Sequence, residues 1–169
     1  MISMATTHWY EILFSGTGLA LLGAALSVIL AGIGSARGVG IVGEAASGLV
    51  SENPDRFGQC LLLQALPGTQ GIYGLLIAFV ILFRLGLLGG SYEPIELATG
   101  MSYFFAALPM AFVGYFSAVA QGRVSASAVG IIAKNPGDLA KGITFAAMVE
   151  TYAVLALLAS ILMLFFGIQ

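Results

Sequence analysis

Charge is scarce in this sequence: six basic and eight acidic residues among 169 positions, 8% in all. The near balance, without any basic block, argues against a nucleic-acid partner, because nothing in it would neutralise a phosphate backbone. Cysteine and histidine are scarcer still. Cys60 and His8 each stand alone, which argues against an internal disulfide, a zinc site and Cys/His nucleophilic catalysis. No G-x-x-x-x-G-K-[ST] run occurs, so the chain does not hydrolyse ATP through a P-loop. "GVGIVG", residues 38–43, fits G-x-G-x-x-G but follows no strand, so it is no nucleotide fingerprint; nothing else points to an organic cofactor. The opening "MISMATTHWYEILFSG" lacks the basic n-region and small-residue cleavage site of a secretory signal, and the first apolar segment is expected to stay in the mature protein.

What the chain has in abundance is apolar surface and glycine: 59% hydrophobic residues and 23 glycines. That is the composition of a membrane protein. Four apolar segments, about 12–48, 54–84, 95–132 and 136–167, each exceed the roughly 20 residues needed to span the hydrocarbon. They predict an all-α membrane protein of four transmembrane helices, arranged as two helical hairpins over 1–90 and 91–169. "SENPD" and "KNPGD" separate the members of each pair, with Asn53 and Asn135 as expected N-caps and Pro54 and Pro136 at the first helical positions. Arg37, Arg56, Arg123, Lys134 and Lys141 are expected to cluster near the two Asn-Pro turns, and only Arg84 near the other face. The positive-inside rule then puts both turns in the cytoplasm and both termini outside.

The paired turns suggest a duplication. Sliding the chain on itself by 82 positions places Gly32, Ser35, Ala36, Gly40, Gly48, Asn53, Pro54 and Thr69 on Gly114, Ser117, Ala118, Gly122, Gly130, Asn135, Pro136 and Thr151; identities at one constant offset mark an internal repeat. The differences carry more information, since Glu150 falls on Gly68 and Gln121 on Val39. The first and third segments also carry small residues every four positions: Gly16, Ala20, Ala24, Gly32, Ala36, Gly40 and Gly48 in one, Gly114, Ala118, Gly122, Ala126 and Gly130 in the other. Such a row reads as a packing seam on a single face, where backbones approach closely in lipid. Two seams per chain suit a ring whose crowded inner wall is lined by the first and third helices of many copies.

Glu150 lies in the middle of "FAAMVETYAVLALL", and a carboxylate at that depth is costly enough that function is its default reading. It stands fourteen residues beyond Pro136, about 21 Å along a helix. Thr69 and Gln70 follow Pro54 by nearly the same interval, and Gln121 precedes Pro136 by fifteen residues. Three helices therefore bring oxygen-bearing side chains to one height. In "LPGTQGIY", Leu66, Thr69, Gln70 and Tyr73 share a face by their spacing, while Pro67 and Gly68 loosen the turn and free backbone oxygens. One carboxylate, a hydroxyl, two amide oxygens and a carbonyl are hard ligands, and a single negative charge matches a monovalent cation. Taken alone, Thr69, Gln70 and Gln121 read as interhelical glue and Tyr73 as core filler; the shared height is what raises them. Gln64 and Arg84 read as structural or interfacial, and Thr151 and Tyr152 as packing.

These residues carry a family resemblance. Two fused hairpins, the "NP" turns, "LPGTQGIYG", "AQGRV" and "MVETYA" resemble the rotor-ring proteolipids of V-type ATPases, in particular those of bacterial sodium-pumping ATPases, over essentially the whole chain. The resemblance implies that Glu150 is the ion-carrying carboxylate. It implies that Leu66 through its carbonyl, Thr69, Gln70 and Gln121 complete a shell for one transported Na+ per chain, with Tyr73 hydrogen-bonded to the carboxylate. It further implies a homo-oligomeric ring in the bacterial plasma membrane, turning against a stator subunit that supplies an arginine. A central-stalk subunit at the cytoplasmic turns would couple the ring to ATP-hydrolysing subunits that are separate chains.

Other readings compete with this one. A proton-only proteolipid needs Glu150 and leaves the other oxygens without use. A small cation or multidrug exchanger also uses a membrane glutamate, but wants a roomy aromatic-lined pocket in place of glycine seams. A purely structural proteolipid explains the seams and leaves the level oxygens unaccounted for.

Overall fold

The computed structural model describes residues 9–167, so His8 lies outside the described residues. No strand occurs among them. After a short helix at Trp9–Leu13, four helices long and apolar enough to cross a membrane follow: α1 (Gly16–Glu52), α2 (Pro54–Arg84), α3 (Leu97–Lys134) and α4 (Pro136–Phe166). The protein is an integral membrane protein. α1 and α3 pack along each other, α2 lies chiefly against α1 and α4 against α3, and α2 and α4 meet beside the polar site.

The Asn-Pro turns fall where expected, but their capping chemistry does not. Neither Asn53 nor Asn135 makes a side-chain capping bond. Pro54 and Pro136 open tight 3-10 turns, in which the Asn53 and Asn135 carbonyls accept from the Arg56 and Asp138 amides, each at 3.0 Å. The backbone carbonyl thereby takes the third amide of each turn, one of those that a capping side chain would otherwise accept from. At the other end of the first hairpin, Gly86 has a left-handed φ of +72°. It lets the Gly86 and Leu87 amides bond back to the Phe83 and Leu82 carbonyls, the Schellman closure that ends α2.

The small-residue rows also divide. Gly16, Ala20 and Ala24 are buried, and a Cβ on Gly122 would stand 2.5 Å from the Gly38 Cα, so the α1–α3 contact is made backbone to backbone. Ala36, Gly40 and Gly48 are exposed, and a Cβ on Gly32, Gly40, Gly48 or Gly130 would meet none of the described residues within 4 Å. A four-residue step advances about 400° around a helix, so it drifts about 40° per step and reaches the opposite face after some four steps. One row in sequence is thus two faces in space. The inner seam continues instead through Ala31, Gly34, Gly38, Val42 and Ala46, all buried.

Two polar devices join the helices away from the site. Pro109 stands inside α3, and the adjacent Met110 amide donates to Ser160 Oγ of α4 at 3.2 Å, tying the two helices together. At the ends of the helices away from the Asn-Pro turns, Arg84 Nε donates to Tyr103 Oη at 3.0 Å, and its guanidinium lies 5.1 Å from the Phe165 ring centre. Arg56 and Lys134 border the turns, but Arg37 stands sixteen residues before Asn53, about 24 Å along α1, where it donates to Tyr115 Oη and lies 5.6 Å from that ring's centre.

Candidate ion site

The break in α2 builds one wall of the site. Pro67 and Gly68 sit in a 3-10 turn, Leu66–Gly68, between the helical stretches Phe57–Ala65 and Thr69–Arg84. This turn presents the Leu66 carbonyl and the Thr69 side chain together: Thr69 Oγ1 donates to the Leu66 carbonyl at 3.0 Å and lies 3.4 Å from Gln70 Oε1. Gln121 comes from α3 and Glu150 from α4. Both amides are fully buried, while Leu66, Thr69, Tyr73 and Glu150 are half-buried.

Hydrogen bonds connect all of the side chains into one network. Gln70 Nε2 donates to Gln121 Oε1 at 2.7 Å and to Ser117 Oγ at 3.3 Å. Gln121 Nε2 donates to the Ala146 carbonyl at 3.1 Å and to Glu150 Oε2 at 3.3 Å. Tyr73 Oη donates to Glu150 Oε1 at 2.7 Å. Each carboxylate oxygen therefore accepts one hydrogen bond. On its outer side Glu150 opens into an apolar groove lined by Ala147, Thr151, Val154 and Leu155.

Sequence positions thus meet in space: Leu66, Thr69, Gln70, Tyr73, Gln121 and Glu150 converge. Thr151 and Tyr152 face outward, and Gln64 Nε2 reaches the Val39 carbonyl at 3.5 Å, outside the cluster. Of two serines that the sequence marks only as repeat identities, one joins the network and the other braces the turn beside it. Ser117 Oγ accepts a hydrogen bond from Gln70 Nε2 and donates one to the Val149 carbonyl at 3.4 Å. Its repeat partner Ser35 accepts from the Gly71 amide at 2.8 Å and donates to the Gly68 carbonyl at 3.4 Å, bracing the broken turn. The signal is present for Ser117, which stands four residues before Gln121 and so on the same helix face. Among the described residues no three His, Cys, Asp or Glu side chains cluster as a metal site, so any cation here is held by one charge and neutral oxygens.

The sequence matches a known family twice over, at residues 22–81 and again at 104–163, that of the ATP synthase C subunit. The chain belongs to the ATP synthase C-subunit family. The two matches begin 82 positions apart, 22 against 104, the same offset at which the chain repeats itself. It is 49% identical over 148 residues to the V-type sodium ATPase subunit K of Enterococcus hirae, covering 88% of this chain and 91% of that protein. It is 36% identical over 146 residues to the A-type ATP synthase subunit K of Methanocaldococcus jannaschii, covering 86% of this chain and 61% of that longer protein. As a C-subunit proteolipid of the V-type kind, the chain is an ion-translocating rotor subunit and not the catalyst; ATP is handled by other subunits, and the family assembles into oligomeric rings.

Proposed function

We propose that each chain carries one sodium ion on Glu150, held in addition by the Leu66 carbonyl, Thr69 Oγ1 and the amide oxygens of Gln70 and Gln121, with Tyr73 steadying the carboxylate. The observation that carries this reading is the convergence of one carboxylate and four neutral oxygen donors from three helices at one height. Hard oxygens and a single charge fit a small monovalent cation, and the related Enterococcus hirae protein is named for sodium. A proton requires Glu150 alone and makes no use of the Gln70 and Gln121 oxygens as ligands.

The charge arithmetic explains why one carboxylate serves. Loaded with sodium or a proton, Glu150 is neutral and its groove can pass lipid; unloaded, it is an anion that needs an opposing cation, supplied by an arginine of the stator subunit. A second carboxylate in the site would leave the loaded form charged, and passage through hydrocarbon correspondingly costly. In this scheme the two hairpins, 1–90 and 91–169, sit in a bacterial plasma membrane with the termini outside. The Asn-Pro turns face the cytoplasm, where a central-stalk subunit docks.

The test is carbodiimide labelling of the assembled complex. A hydrophobic carbodiimide reaches protonated carboxyls from lipid, so it should modify Glu150 selectively. Millimolar-range sodium is expected to slow the reaction, with potassium much less effective. Labelling indifferent to sodium overturns the sodium shell and leaves the proton-only rotor.

A further inference from the structure

Both amides in the site are directional, and a cation is bound only if their oxygens, not their nitrogens, face it. For Gln121 the direction is fixed by helix backbone: the Ala146 carbonyl can only accept, so Nε2 must turn toward it, at 3.1 Å. Gln70 touches no backbone carbonyl directly. Its Nε2 has two partners, Gln121 Oε1 and Ser117 Oγ. The serine in turn donates to the Val149 carbonyl, which again can only accept. Ser117 thereby commits its proton to α4 and turns a lone pair toward Gln70.

We propose that Ser117 is a positioning residue for ion selectivity: it passes the polarity of the Val149 carbonyl on to Gln70, holding Nε2 outward and Oε1 toward the cation. The proposal rests on the sodium reading of the same site and names a residue which that reading omits. Its weight falls on the loaded form. A cation that takes Gln121 Oε1 competes with Gln70 Nε2 for that oxygen, and Ser117 is then the acceptor left to hold the amide. A proton on Glu150 makes no such demand. Ser117 should therefore separate sodium from proton, while a merely structural serine would affect both or neither.

The repeat supplies an internal contrast. Ser35 occupies the equivalent position in the first hairpin, beside Gly68 in place of a carboxylate, and its hydroxyl is spent wholly on backbone, the Gly71 amide and the Gly68 carbonyl. The serine facing the carboxylate-bearing helix is the one whose hydroxyl takes a side-chain amide.

The experiment uses the assembled complex in membranes. Carbodiimide labelling is followed against sodium concentration at fixed pH, and against pH without sodium, in wild type, Ser117→Ala and Ser117→Thr. Sodium protection of wild type is the precondition, and its absence sinks the sodium reading itself. With protection present, the half-protecting sodium concentration is expected to rise about tenfold in Ser117→Ala, the order seen when groups that orient metal ligands are removed. The pH profile without sodium should keep its midpoint, and Ser117→Thr, which keeps the hydroxyl, should return toward wild type. A rise of less than twofold in Ser117→Ala overturns the proposal. So does a displacement of the sodium-free pH profile as large as that of the sodium curve, and so does a threonine variant no better than alanine.

Discussion

Gly68 and Glu150 occupy the same place in two copies of one hairpin, and so do Val39 and Gln121. Around both places the frame is unchanged: an Asn-Pro turn below, a serine alongside on the preceding long helix, small residues where α1 and α3 touch. In the second copy the serine meets the Gln70 amide and two donors meet the carboxylate. In the first, the nearest atom beyond its own turn to a Cβ at Gly68 would be Val39 Cγ2, at 3.8 Å. The contrast separates what the fold requires from what the cargo requires. Turn and glycine seam persist in both halves as parts of the fold, whereas the carboxylate and its amide occur once; the serine is kept in both halves but bonds a side-chain amide only in the second. Helix α2 of the first hairpin still reaches the other half, its Tyr73 bonding the Glu150 carboxylate of α4 and its Thr69 and Gln70 joining the same network through Gln121.

The comparison breaks most completely at its one charge. Glu150→Gln keeps the shape of the side chain and removes the group that changes charge, so labelling and ATP-driven sodium uptake in reconstituted vesicles are both expected to disappear. Uptake that survived in this variant would remove the rotor mechanism. Next in size are the two kinds of glycine. Gly122→Leu drives a side chain into the Gly38 backbone and should prevent the chain from accumulating as a folded protein. Gly40→Leu projects into space that the chain itself leaves open, so it should fold but fail to give a ring on a native gel. Smaller again, Gln70→Leu or Gln121→Leu should raise the half-protecting sodium concentration by roughly 10- to 100-fold with ring yield unchanged; equal sodium affinity would sink the shell as drawn.

Much of the site was legible because helices convert position into height. A rise of about 1.5 Å per residue, counted from two equivalent Asn-Pro turns, was enough to set Thr69, Gln70, Gln121 and Glu150 level. Azimuth was harder. The row from Gly16 to Gly48 looks like one stripe, and only a running sum of about 100° per residue shows it crossing from the α3 contact at Ala24 to the open face at Gly40. The direction of hydrogen bonds was not legible at all. Ser117 appears in sequence as one more small residue, and nothing there says that its proton goes to Val149 and its lone pair to Gln70. The Asn53 and Asn135 caps failed for a similar reason, because the backbone of a 3-10 turn takes the bond that the side chain was expected to make.

The smallest expected effect lies at Gly68 itself. Its backbone is ordinary helix, φ −78° and ψ −23°, so no left-handed conformation calls for glycine, and a methyl group there would rest in normal contact with Val39. Replacing glycine by alanine where the backbone permits it stabilises by about 0.4–1 kcal/mol, mainly by restricting the unfolded chain. Gly68→Ala is therefore expected to leave the thermal stability of the chain in detergent unchanged or slightly raised. Gly74→Ala, further along α2, should lower it, because the new Cβ would lie 2.5 Å from the Ser27 carbonyl oxygen. The informative outcome is a split in the first variant. If Gly68→Ala folds and yet weakens the ring, the space where the second carboxylate would stand is filled by the neighbouring copy, and the first hairpin's empty position serves assembly. If fold and ring are both unaffected, glycine at 68 marks only the absence of a charge, and the two halves differ in chemistry alone.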